Sequence, residues 1–134
     1  MKVASLAVGL VLAAGPAASP NPHLDRARTQ SDDFEHAAAL LSLEAALAQL
    51  DNDLPTMLAI YELRGIVWGT LNNAPKARAA FVVLLTLDPA RELSGDQPPR
   101  VRTPFYEAKA LVDRAGALTL TRTPPVSADG QLTI

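Results

Sequence analysis

Two histidines, fourteen carboxylates and no cysteine are what this sequence offers to chemistry. Without cysteine there is no disulfide, no thiolate metal site and no sulfur nucleophile. His23 and His36 lie far apart in the sequence. His36 has Asp32 and Asp33 about one helical turn before it, but no second histidine on that helix. A single His–carboxylate spacing reads as a helix-surface pair, because a zinc site or a base–nucleophile pair needs more converging groups. Asp51 and Asp53 have the spacing of the first calcium-loop ligands, yet the glycine and terminal glutamate of such a loop are missing. With Leu54-Pro55 they read as a turn. No glycine-rich loop is present to cradle a phosphate. Asp32, Asp33, Glu35 and Glu44 are read as solvated helix charges. The expectation is a protein without catalytic residues, metal or cofactor.

The elements that carry these residues are mostly helical. The chain has 134 residues, 49% of them apolar but only 4% aromatic, and the apolar share is mainly Ala and Leu, both good helix formers. This length fits one domain near the lower end of comfortable core-building. A formal charge of −2 argues against nucleic acid, which attracts clustered basic surfaces. Lys2, the apolar run Val3–Ala14 and the small residues through Ser19 have the layout of a secretory signal peptide. Cleavage is expected after Ala17 or after Gly15. The run is well short of the ~20 residues that span a bilayer, so the mature chain is expected in the periplasm or outside the cell, without stable membrane insertion. Residues 18–31 read as a polar lead-in rather than an element.

The first helix is expected over Asp32–Leu50, with Ser31 as N-cap. It carries two apolar stripes. One holds Phe34, Ala38, Leu41, Ala45 and Ala48; the other holds Leu40, Leu43, Leu47 and Leu50. A helix with two such faces is either sandwiched between neighbours or keeps one face for a partner. A second helix is expected from about Thr56 to Leu71. After a turn at Asn72-Asn73, Pro75 suits the first turn of a third helix, which stops at Asp88-Pro89.

These two helices resemble a tetratricopeptide repeat, a 34-residue helix–turn–helix with the pattern W-x2-L-G-x2-Y, A-x3-F, P. The chain has Tyr61-x2-Arg64-Gly65-x2-Trp68, then Ala77-x3-Phe81, then Pro89, within Leu58–Arg91. The resemblance implies that Gly65 and Ala77 allow close helix approach while Tyr61, Trp68 and Phe81 fill between the helices. Arg64 departs from the pattern, standing where the family prefers leucine. Its guanidinium either lies over an aromatic ring or snorkels to the edge while its stem covers apolar surface. A partial second repeat begins at Asp33-Phe34-Glu35-His36-Ala37. The resemblance places a groove on the first helix of the pair, at Ala59, Glu62, Ile66 and Thr70, suited to an apolar or helical segment. The stripe Leu40/Leu43/Leu47/Leu50 is the other candidate surface, for a partner or for self-association.

A connection of residues 90–103 with a basic end follows. Thr103 is then expected to cap a fourth helix, with Pro104 at its first position and Gly116 past its end. That helix presents Phe105, Ala108, Leu111 and Val112 to close the open side of the repeat. Alternation at Leu118–Thr121, and again from Gln131 after the turn signal Asp129-Gly130, reads as two strands. The whole arrangement resembles bacterial exported proteins in which a tetratricopeptide-like segment leads into a β-sandwich. The chain looks like such a protein cut at the start of its sandwich. The expected fold is thus mainly α: about four helices over residues 32–116, with a β-hairpin or strand pair over 117–134. The expected function is a periplasmic protein–protein interaction or scaffold module. The alternatives are a spacer that positions a β-sandwich, and a fragment of an exported hydrolase.

Overall fold

The structure, a computed structural model, describes residues 20–121, with side chains through residue 117. Among the described residues five helices follow in chain order: α1 Pro22–Asp32, α2 His36–Ala48, α3 Leu54–Thr70, α4 Ala74–Leu87 and α5 Pro99–Thr121. The fold is mainly α, with no strand among the described residues. No helix there is long and apolar enough to cross a membrane.

The segment read as a polar lead-in is α1. Asn21 starts it: its Oδ1 accepts from the N–H groups of His23 and Leu24, each at 3.1 Å, and Pro22 occupies the first turn. Only Leu24 and Ala27 of this polar helix are buried, a stripe too thin to register as periodicity. They suffice because α2 offers Leu43 and Ala46, and α3 offers Ile60, to the same core. The buried Asn21 amide also donates to the Ala46 carbonyl at 3.1 Å and to Asn52 Oδ1 at 2.8 Å. The start of α1 therefore lies beside the end of α2, and the two helices are antiparallel.

The expected single helix from Asp32 begins instead at His36, and Ser31 lies inside α1 rather than capping α2. The chain reverses at Phe34, whose φ of +64° is left-handed. Its N–H donates to the Ser31 carbonyl at 3.1 Å, and the Glu35 N–H donates to the Gln30 carbonyl at 2.7 Å. Those two bonds are a Schellman closure with phenylalanine at the position glycine prefers. The same closure ends α3 at Asn72, φ +63°, where asparagine tolerates the conformation.

Helix α3 starts two residues before the expected Thr56, because Asp53 caps it by accepting from the Thr56 N–H at 3.0 Å and Pro55 is tolerated in a first turn. Asn73 caps α4 in the same way, with Pro75 in its first turn. Helix α3 is shared between two cores. Ile60 joins the α1/α2 side, while Leu58 joins Ala77, Phe81, Leu84 and Leu85 of α4 and Val101, Phe105 and Ala108 of α5. The Phe81 and Phe105 rings meet edge to face at 5.3 Å.

Helix α5 begins at Pro99, so Thr103 is not its cap and Pro104 lies within it. Gly69 is what lets it start so close to α3. A Cβ there would sit 2.9 Å from the Arg100 carbonyl oxygen and 3.0 Å from the Val101 Cα. Contact with Gly69 puts the start of α5 beside the end of α3. The long segment after Asp88 thus returns along α4, about 21 Å for its 14 residues at helical rise. Helix α5 runs through Gly116 to Thr121, so Leu118–Thr121 is helical rather than a strand. An alternation this short fits either state. The expected signal peptide and the strand from Gln131 lie outside the described residues.

Candidate functional site

Around the tetratricopeptide-like positions, small and large residues take complementary places. Gly65, Ala77 and Phe81 are buried. A Cβ added at Gly65 would overlap the Phe81 ring, so the pair sets how closely α3 and α4 approach. Tyr61 and Trp68 pack half-buried against the same core. Pro89 is exposed just beyond the end of α4. The cation over the Trp68 ring is Lys76, with Nζ 4.5 Å from the centroid. Arg64 is half-buried and lines a groove with Tyr61 and Trp68, in keeping with a guanidinium that reaches the edge along an apolar stem.

The groove expected on α3 is narrower than its four residues imply. Ala59, Ile66 and Leu63 floor a cleft of about 200 Å³ between α3, Arg28 of α1 and the segment carrying Arg91 and Ser94. Glu62 lies in its wall but is committed to the protein. Its Oε1 accepts from Arg91 Nε at 3.1 Å and Nη2 at 2.7 Å, and its Oε2 accepts from the Ser94 N–H at 2.9 Å. Burial pushes the Glu62 carboxyl up, but the hydrogen bonds from Ser94 and Arg91 and the Arg91 charge outweigh it and hold the pKa below its ordinary value. Glu62 therefore fastens the returning segment onto α3. Thr70 is outside the cleft and donates its hydroxyl to the Ile66 carbonyl at 2.8 Å.

The leucine stripe of α2 is mainly internal. Leu43 is fully buried, and Leu40 and Leu47 pack half-buried against the α1/α2/α3 core. Only Leu50, past the helix end, is fully exposed. The other stripe is turned to solvent at Phe34, Leu41 and Ala48, with Ala38 and Ala45 half-buried, so α2 is covered on one face only.

No three metal-ligating side chains converge among the described residues. The two histidines stand near the starts of different helices, and the His36 ring meets Phe34 edge-on at 6.2 Å.

No family model matches the chain, and neither does any curated protein or solved structure.

Several residues of these surfaces escape sequence reasoning. Arg28 and Leu63 enter the cleft because α1 packs against α2 and α3. Arg91 is 29 positions from Glu62. Lys76 was readable in principle, since an Asn-Asn turn returns α4 alongside the end of α3.

Proposed function

We propose that this chain is an exported, non-catalytic protein–protein interaction module of tetratricopeptide type, and that the cleft between α1 and α3 takes a segment of its partner. The observation that carries the reading is the pairing of α3 with α4 through Gly65 and Phe81, next to an antiparallel α1/α2 pair. Two such hairpins side by side are the unit from which helical-repeat binding surfaces are built. Helix α5 returns to close the second hairpin instead of opening a third.

The cleft has an apolar floor of Ala59, Leu63 and Ile66 and arginines at its sides. Arg91 is partly neutralised by Glu62 at 2.7 Å, and Arg28 by Asp25 at 3.4 Å. This favours an apolar side chain on a partner segment over a strongly charged tail. The N-terminal layout, with Lys2 before the apolar run, supports action outside the cytoplasm.

The test is affinity capture from periplasmic extract with the wild type and with Ile66→Arg. The proposal expects a discrete partner that the folded variant loses. Identical partners from both proteins would remove the cleft from consideration.

A further inference from the structure

The turn between α1 and α2 and the groove on the far hairpin are complementary in charge. At the turn, Phe34 is 82% exposed on a left-handed backbone. Asp32, Asp33 and Glu35 flank it, all exposed, and none is in an ion pair among the described residues. A bulky side chain at φ > 0 is a strained choice, and such strain is found at functional sites such as ligand clamps. The result is an aromatic knob ringed by carboxylates.

The groove is its opposite. Tyr61, Arg64 and Trp68 of α3 face Lys76 and Val83 of α4 across about 370 Å³, with Glu44 of α2 also at the groove. Arg64 has no carboxylate partner among the described residues, and Lys76 lies over the Trp68 ring. The groove thus carries two cations and two aromatic rings against one carboxylate. A cavity of about 150 Å³ holds benzene, so the groove has room for a phenyl ring. In its own chain the Phe34 ring is mostly exposed, touches only the edge of His36 among aromatic rings and does not line the groove, so a Phe34 seated there belongs to another copy.

We propose that the groove at Tyr61, Arg64, Trp68 and Lys76 receives Phe34 and its flanking carboxylates from a second copy of this chain. The phenyl ring enters beside Tyr61 and Val83, and Asp32, Asp33 and Glu35 meet Arg64 and Lys76. Knob and groove are different surfaces, so the contact either closes reciprocally as a two-fold dimer or runs head-to-tail into rings or open chains. The contact is small, which makes the association weak and concentration-dependent. Its charge pairing makes it sensitive to salt.

The test is sedimentation velocity of the full chain with two variants. Phe34→Gly removes the knob while relieving the backbone, and Arg64→Ala/Lys76→Ala removes the groove's cations. The wild type should gain mass with concentration and lose it in high salt. Each variant alone should associate about tenfold more weakly or not at all, while their equimolar mixture forms heterodimers and nothing larger. Trp68, the one tryptophan of the chain, reports the groove directly. A capped peptide of residues 31–36 should shift its fluorescence saturably in the Phe34→Gly protein, but not in Arg64→Ala/Lys76→Ala. A wild type that stays monomeric, variants that associate as the wild type does, or a mixture that forms no heterodimer each overturn the proposal. A peptide response from a strictly monomeric wild type overturns it too, and assigns the groove to an acidic segment of another protein.

Discussion

Glu62 in the middle of α3 holds Arg91, beyond the end of α4, through two hydrogen bonds to one carboxylate oxygen, at 2.7 and 3.1 Å. With the Ser94 N–H on the other oxygen, this pair fixes the path by which the chain returns to begin α5. Removing one partner of a buried pair leaves the other desolvated. Glu62 is nearly buried, whereas Arg91 keeps 31% of its side chain exposed, so water screens part of the loss. Arg91→Ala is predicted to lower stability by about 1–3 kcal/mol, read from urea unfolding midpoints.

The same site predicts a pH dependence. The folded-state pKa of Glu62 is depressed below the ordinary 4.5. Its stabilising contribution is therefore complete above the unfolded-state value and is lost as pH falls through the folded-state value. Thermal midpoints measured from pH 7 down to about pH 3 should drop more steeply for the wild type than for Glu62→Gln, which cannot titrate. Parallel curves would show that Glu62 does not carry this dependence.

Gly65→Ala is predicted to destabilise by about 1–3 kcal/mol through overpacking, although alanine is the better helix former. The reason is the Phe81 ring, which occupies the place of the new Cβ. A double-mutant cycle with Phe81→Leu measures it. The two substitutions should be strongly non-additive, with the alanine far less harmful once the ring is gone.

Asn21→Ala should loosen α1 specifically. It removes a cap and a buried amide that reaches Ala46 and Asn52. A loss of about 1–3 kcal/mol is expected. Hydrogen exchange should show it first in the amides of α1. Equal acceleration throughout α3 and α4 would contradict this local role.

These sites differ in how far the sequence announces them. The α3/α4 hairpin is legible because Asn73, Pro75 and Asp88-Pro89 punctuate a clear helical period. Helix α1 is not, since Leu24 and Ala27 are too few to form a pattern and Asn21-Pro22 is a start signal without an obvious helix behind it. The turn at Phe34 has no glycine or asparagine to mark it, so α1 and α2 read as one later helix. Leu43 looks like a surface candidate until α1 exists to cover it, and Glu62 looks free until Arg91 returns from 29 positions away. In each case the missing information is a tertiary neighbour, not a local propensity.

The cleft over Ala59, Leu63 and Ile66 carries the proposed function. A photo-cross-linking amino acid at position 66 of the full chain, activated in cells, tests it most directly, with position 41 on the exposed face of α2 as control. A discrete adduct with a different protein is expected from position 66 and not from position 41. No adduct from position 66, or the same adducts from both positions, would contradict it.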